Sequence, residues 1–433
     1  MIASLSGIRG ILNADMGLDE VCRFATNFAR TTGSKEFLLA RDPRSTGPAM
    51  ARAVTAGIVS LGGTVYDYGI VSTPALFRES RTKSLPAVMV TASHNEPEYN
   101  GLKFILGGAG IGMETFASVM EGPKVRVGKF QPGRVKKAPN PSYVDDLVGR
   151  FGEGSFEGMK VAVDLCGGAA ITHVLPLLTR LGCRVTSVND SYGVFTRKVD
   201  PVADDLDLLR KAVKQDGCDI GLGFDCDGDR LVIVDSAGRK RTGDFMLTLA
   251  LSELLPATGE NKVVVSVDTT QAIDDIAKKV GARVFRSRVG EANVVGLMKE
   301  EGARLGGEGS SGGLIDGSFN YCRDSMLAAL SIIAALKTEG RGFYDSVPAY
   351  QLDRVALAIP KAKALRGIAK LAKKHGGADT TDGLKLPLPG RSWVLLRPSG
   401  TEDVVRVSAE AGTAEKATQI AKSYAKKLKE MSG

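Results

Sequence analysis

The stretch Val263-Val-Val-Ser-Val-Asp268 has two counterparts, Val161-Ala-Val-Asp164 and Phe37-Leu-Leu-Ala-Arg-Asp42. Each is an apolar run ending in aspartate, and a helical pattern follows each. Every one of those helices stops at a glycine before a second β-branched run: Val280-Gly-Ala-Arg-Val284, Leu181-Gly-Cys-Arg-Val185 and Leu61-Gly-Gly-Thr-Val65. Glycine closing a helix ahead of a β-branched segment is a βαβ signature. Runs that are apolar throughout predict strands covered on both faces, hence mostly parallel sheets flanked by helices. Three related α/β units in tandem are therefore expected.

The pattern changes after the glycine-rich stretch Thr338-Glu-Gly-Arg-Gly-Phe343, which reads as a boundary. A strand (355 to 359), a helix (364 to 375), short strands near Leu384, Trp393 and Val404, and a final helix from Ala414 predict a small α+β domain. The fold class expected is α/β: three tandem related α/β domains with mixed sheets, plus a small C-terminal α+β domain, around a central cleft. The expected ranges are 1–135, 136–240, 241–345 and 346–433. Ligands in such sheets sit at the C-terminal ends of strands.

A chain of 433 residues exceeds a single core, and 43% hydrophobic content with mean hydropathy near zero marks an ordered globular protein. No apolar run is long enough to span a bilayer, and Met1 to Gly10 lack the regions of a signal peptide. Six scattered cysteines without a CxxC pair fit free thiols in a reducing cytoplasm, and three histidines argue against a histidine-built metal site. His173 and His375 read as helical residues without a catalytic role. The net charge of +8 favours an anionic partner. The basic tail Lys422 to Lys429 reads as an amphipathic helix with a solvated face, since Ile420, Tyr424 and Leu428 recur every fourth residue. A small phosphorylated molecule, with neither nucleic acid nor membrane, is the expected partner; the oligomeric state is not readable.

Four loops carry chemistry. In Gly221-Leu-Gly-Phe-Asp-Cys-Asp-Gly-Asp-Arg230, Asp225, Asp227 and Asp229 repel one another unless a cation lies between them, and a hard oxygen-liganded ion such as Mg²⁺ is the first candidate. Spacing excludes a calcium EF-hand, because Arg230 and Ser236 stand where glycine and glutamate are needed. Arg230 adds a fixed charge suited to phosphate. In Val90-Thr-Ala-Ser-His-Asn-Glu-Pro-Glu-Tyr-Asn-Gly-Leu-Lys-Phe104, Ser93 is a candidate nucleophile or phosphate carrier, beside His94 and Lys103. Arg397-Pro-Ser-Gly-Thr-Glu-Asp-Val-Val-Arg406 combines two guanidinium forks with Ser399, Gly400 and Thr401, which makes it a candidate dianion cradle. In Gly306-Gly-Glu-Gly-Ser-Ser-Gly-Gly313, Glu308 and Ser310 suit sugar hydroxyls. Gly7-Ile-Arg-Gly10 and Asp42-Pro-Arg-Ser45 each place an arginine among turn formers.

Together these motifs resemble the α-D-phosphohexomutase family over nearly the whole chain, with wording closest to archaeal phosphoglucosamine mutase and phosphomannomutase-like members. The resemblance implies that Ser93 carries phosphate and that Asp225, Asp227 and Asp229 hold Mg²⁺ together with it. It implies a sugar-recognition role for Glu308 and Ser310, and phosphate binding by Arg397, Ser399, Gly400, Thr401 and Arg406. Arg9, in GIRG, would support the serine phosphate; Lys103 would transfer a proton or contact phosphate; Arg288 would approach the substrate; His94 and Arg230 would line the site. The implied activity interconverts hexose 6- and 1-phosphates through a hexose 1,6-bisphosphate. Glu96 and Asp403 stand where proline is common, Ser311 stands where glycine is usual, and no histidine follows the sugar loop. The competing readings are a metal-dependent phosphatase using the same serine, and a non-catalytic sugar-phosphate sensor.

Overall fold

The computed structural model describes residues 1–122, 132–375, 377–399 and 403–432. Three of its four sheets are variations on one unit. In the second unit, strands run in the order Arg184–Val188, Lys160–Asp164, Ile220–Phe224, Leu231–Asp235. The first three are parallel and the last is antiparallel. The third unit repeats this with Arg283–Ser287, Lys262–Ser266, Leu305–Glu308 and Gly313–Asp316. The first unit contains it too, as Thr64–Ile70, Glu36–Arg41, Ala87–Val90 and Tyr99–Leu106. There the sheet is extended by Gly7–Ile11 and Ile2–Ser4 on one side and Arg134–Lys137 on the other.

The turn glycines behave as their positions require. Gly62, Gly182 and Gly281 follow the three first helices with φ of +80°, +86° and +72°, a region that costs residues with a Cβ but not glycine. The antiparallel fourth strand of each unit has no signature of its own. In the second unit it is as apolar as its parallel neighbours, and Leu231–Asp235 is buried at all five positions.

The second and third units share one core. It runs from Leu147 and Val163 through Leu222 and Leu247 to Val265 and Leu336. Two helices fill it, Gly243–Thr258 and Ser325–Glu339, both apolar on nearly every face, as central helices must be. Asp324 caps the second by accepting a hydrogen bond from the Leu327 amide. The stretch Thr338–Phe343, expected as a boundary, ends that helix and enters a 3₁₀ segment, Gly340–Ser346. Its Phe343 and Tyr344 are buried in the shared core, so this is packed structure rather than a loose linker.

The C-terminal sheet is antiparallel, in the order Gln351–Ala358, Val404–Ala411, Ser392–Pro398, Leu384–Leu388. Helices Lys361–Lys374 and Ala414–Met431 cover it over a core of its own. Ala417, Ala421, Tyr424 and Leu428 face inward, while the lysines of the last helix stay exposed. Among the described residues, no helix is long and apolar enough to cross a membrane.

Candidate active site

The internal repeat places three of the four loops at one topological position. Ser93 lies between the third and fourth strands of the first unit, Asp225 to Arg230 between those of the second, and Gly309 to Gly312 between those of the third. Each loop leaves the C-terminal end of a central parallel strand, where binding groups collect.

The structure brings the first two loops together. Ser93 is fully buried, and its Oγ donates to Asp225 Oδ2 at 2.9 Å across 132 residues of sequence. Its φ is +53°, a left-handed conformation that costs a non-glycine residue about 1–3 kcal/mol and persists only when its surroundings enforce it. His94 sits beside it, with Nδ1 at 3.4 Å from Ser93 Oγ and Nε2 at 3.2 Å from Arg230 Nη2. A guanidinium can only donate, so Nε2 accepts and the ring proton sits on Nδ1, facing the serine. Burial, with Arg230, Arg9 and Arg323 nearby, pushes the His94 pKa far down, so the ring is neutral.

Asp225, Asp227 and Asp229 are all fully buried, and one oxygen from each lies within 4.8 Å of the others. Asp225 Oδ1 accepts from the Asp229 and Arg230 amides. Asp227 Oδ2 accepts from Thr73 Oγ1 at 2.6 Å and Lys103 Nζ at 2.7 Å, and Asp229 Oδ2 from Lys103 at 2.7 Å and Arg323 at 2.8 Å. The remaining oxygens, Asp227 Oδ1 and Asp229 Oδ1, are buried without a partner. An orphaned buried carboxylate oxygen is costly, and two of them beside Asp225 form an oxygen donor set that fits a hard divalent cation. Burial and the other two carboxylates push Asp225 well up. Asp229, although buried, is brought down by Arg323 and Lys103. Burial lowers Arg9 to about 10, so it too is charged at neutral pH; it donates to Asn95 Oδ1 at 2.7 Å. Lys103 is raised despite its burial, because Asp227 and Asp229 flank it.

Arg323 joins this cluster to the sugar loop, and the sequence reading missed it. Beyond Asp229 it pairs with Glu308 Oε2 and Glu291 Oε2, each at 3.3 Å. Glu308 closes the chain by accepting the Gly290 amide at 2.6 Å. Arg323 has no motif of its own. The one available signal was a charged pair, Arg323-Asp324, at the mouth of an apolar helix. Arg288 is exposed in the loop beside Gly290. Ser310 lines a cavity of about 780 Å³ that reaches Asp244, Tyr350 and Arg354, where the C-terminal domain joins the third unit.

The C-terminal loop is held differently. Arg397 and Arg406 are directly opposite on antiparallel strands, a like-charge pairing that disfavours the sheet unless an anion bridges it. Arg397 Nη1 reaches Asp382 Oδ2 at 3.5 Å, and the same oxygen accepts the Val289 amide at 3.1 Å. Asp382 thus ties the loop to the third unit beside Arg288. The Ser399 amide donates to the Val404 carbonyl. Gly400 and Thr401 lie outside the described residues.

A buried serine on an acidic, metal-capable trio, ringed by arginine and lysine, fits a phosphoryl-transfer centre in a repeated α/β scaffold. Family models match in chain order. Phosphoglucomutase/phosphomannomutase α/β/α domain I matches residues 2–121, domain II 141–238, domain III 242–351 and the C-terminal domain 354–427. The chain belongs to the phosphoglucomutase/phosphomannomutase family, the phosphohexomutases, and it is an isomerase that moves a phosphoryl group within its substrate. A probable phosphoglucosamine mutase of Methanopyrus kandleri is 31% identical over 96% of this chain and 95% of its own. A phosphoglucomutase/phosphomannomutase of Thermococcus kodakarensis is 31% identical over 98% and 97%. The crystal structure of a phosphoglucomutase/phosphomannomutase family protein from Burkholderia thailandensis superposes with a TM-score of 0.84 at 26% identity, covering 99% of this chain and 98% of that one. An N-acetylphosphoglucosamine mutase of Aspergillus fumigatus, solved with GlcNAc-6P and magnesium, shares the fold at a TM-score of 0.59 and 14% identity, covering 95% and 96%.

Proposed function

We propose that the protein interconverts hexose 6-phosphate and hexose 1-phosphate by way of phospho-Ser93 and an enzyme-held 1,6-bisphosphate, with glucosamine phosphate as the preferred sugar. The observation that carries this reading is the Ser93 to Asp225 contact. A phosphate on Ser93 Oγ would meet three carboxylates at once, an arrangement tolerable only with a cation between them. Asp225, Asp227, Asp229 and the serine phosphate would hold Mg²⁺, which offsets negative charge on the transferring phosphoryl group.

In the first half-reaction the Oγ–P bond of phospho-Ser93 breaks as a sugar hydroxyl bonds to phosphorus, and the hydroxyl's proton ends on the serine oxygen that leaves. The serine oxygen that leaves faces the Nδ1–H of His94, which Arg230 holds in that tautomer. Lys103 is kept charged by Asp227 and Asp229, so its part is to hold phosphoryl oxygens rather than to take a proton. Arg9 adds charge to the same wall. The bisphosphate then turns around, and its other phosphate returns to Ser93. Arg397 and Arg406 would grip whichever phosphate is distant from the serine, with Glu308 and Ser310 on the sugar hydroxyls and Arg288 at the approach. Closure of the C-terminal domain would exclude water from the phosphoserine.

The choice of an amino sugar rests on similarity to archaeal phosphoglucosamine mutases and on the carboxylates Glu291 and Glu308 beside the sugar loop. Similarity to the Thermococcus phosphoglucomutase/phosphomannomutase favours glucose or mannose phosphate as the second reading. The six free cysteines suit the cytoplasm, and no nucleic-acid or membrane partner is invoked.

A coupled assay over glucosamine, glucose and mannose phosphates, with Mg²⁺ and a trace of the matching 1,6-bisphosphate, tests this. Turnover should be fastest with glucosamine phosphate, and Ser93→Ala should lower it by three orders of magnitude or more. Net phosphate release without isomerisation would point to a phosphatase. Binding without turnover, or full turnover in Ser93→Ala, would remove the catalytic serine.

A further inference from the structure

Arg44 heads the described residues in fully buried side-chain volume, and none of the steps above uses it. Its guanidinium makes five contacts. Nε donates to Asp42 Oδ2 at 3.1 Å, an ion pair in which both side chains are wholly buried. Nη1 donates to the carbonyls of Glu96 at 2.5 Å and Tyr99 at 2.9 Å. Nη2 donates to those of Ser93 at 2.8 Å and Asn95 at 2.6 Å. One cation therefore gathers four carbonyls of the serine loop, adding to the Tyr99 amide that the Glu96 carbonyl already accepts.

The anchor extends to the serine itself. Asp42 Oδ2 also accepts from Thr91 Oγ1 at 2.6 Å, and Thr91 Oγ1 accepts the Ser93 amide at 2.8 Å. Amide and carbonyl of Ser93 are thus both tied to the Asp42–Arg44 pair, one through Thr91 and one directly. Ser93 sits at φ +53° between those ties, and its side chain leaves on the opposite side, toward Asp225. The second unit has a simpler version of the device. Arg197 donates to Asp164 Oδ1 at 2.9 Å and to two carbonyls, Lys198 O at 2.7 Å and Phe224 O at 2.6 Å, the latter just ahead of the metal-capable loop. Asp42 and Asp164 are the aspartates that end the equivalent first strands, so the same acid-arginine clamp recurs. It is enlarged where a strained, reacting residue must be aimed.

We propose that Arg44, braced by Asp42, is the positioning residue for phosphoryl transfer. By enforcing the left-handed turn at Ser93 it fixes the direction of the serine phosphate toward the aspartate trio and the sugar, and away from water. The proposal rests on the phosphoserine reading above. Lysine cannot replace this function, since it offers three donors on a point charge where the loop needs a planar fork of five.

The test uses full-length Arg44→Lys and Thr91→Val, with mutase kcat and KM, inorganic phosphate released per mutase turnover, and folding by circular dichroism. Arg44→Lys should lower kcat by about 10- to 100-fold with KM within about threefold, and raise phosphate release per turnover at least about fivefold, because misdirection of a reacting group by about 1 Å is enough for such losses. Thr91→Val should shift the same quantities in the same direction, by about three- to tenfold in kcat. A folded variant with wild-type kcat and phosphate release overturns the proposal. So does a loss of kcat that only tracks the folded fraction, with the release ratio unchanged. If Arg44→Lys does not fold, Thr91→Val decides by the same criteria. Absence of mutase turnover in the wild type would instead sink the phosphoserine reading, whereas wild-type turnover with indifferent variants sinks only the role of Arg44.

Discussion

The serine loop and the strands that carry Arg397 and Arg406 are both proposed to meet phosphate, yet they are held in opposite ways. The serine loop is anchored from beneath by Arg44 and from in front by Asp225, and the metal-capable trio it meets belongs to a unit that shares its core with the third. The C-terminal domain has its own core and joins the third unit mostly through polar contacts. Asp382 accepts from the Val289 amide, Glu410 from the Gln271 amide, Lys385 donates to the Val267 carbonyl, and Arg391 pairs with Asp275. One small apolar patch, Val267 with Trp393 and Leu395, completes the joint. The difference matches the two tasks. Bond breaking needs groups fixed in advance, whereas gripping the proposed enzyme-held bisphosphate again after it turns around needs a holder able to yield.

The sharpest way to break this comparison is to cut the tie across the rigid side. Arg323→Met leaves Glu308 and Glu291 without their buried cation and Asp229 with Lys103 alone, and stripping one partner from a buried ion network costs about 3–5 kcal/mol. Urea unfolding of the metal-free protein should show that loss, and Mg²⁺ should restore part of it by reclaiming Asp229. Next in size, Asp227→Ala should lower kcat at least about 100-fold while leaving the affinity for sugar phosphate in place, as measured by kinetics and calorimetry. The C-terminal side should answer differently: Arg397→Ala should raise KM by about 10- to 100-fold, the scale of one charge-assisted contact, with kcat changed far less.

The smallest effect concerns the joint itself. Lys385 is buried over the Trp393 ring, and burial lowers its pKa to about 7 from 10.5. Between those values the unfolded chain holds a proton that the folded chain lacks, so this group makes stability rise as pH goes from about 7 to 10.5. The penalty is full below pH 7. Thermal melting across that window should show the slope, and Lys385→Met should flatten it.

Much of the fold and half of the site were legible in sequence because their signals are local. An apolar run, a glycine stop and a DxDxD segment each fit in a few residues, and so does a Ser-His pair after a strand. The fourth strand of each unit was not, because an antiparallel partner buried on both faces reads like a parallel one. Arg323 was invisible because its meaning lies in Asp229, 94 residues away. Arg44 was visible only as a turn residue, since its partners are backbone carbonyls, which no side-chain pattern records. The tie between Asp382 and Val289 likewise joins a side chain of the C-terminal domain to a main-chain amide.

The central claim is that one oxygen, Ser93 Oγ, carries the phosphoryl group in front of the aspartate trio. The most direct test loads the protein with a hexose 1,6-bisphosphate in the presence of Mg²⁺, strips the metal and free sugar, maps the phosphate by mass spectrometry and then adds hexose monophosphate with or without Mg²⁺. A single phosphate should be found on Ser93, and it should pass to the sugar only when Mg²⁺ is present. A phosphate found on another residue, or one that leaves Ser93 equally well without the metal, would contradict it.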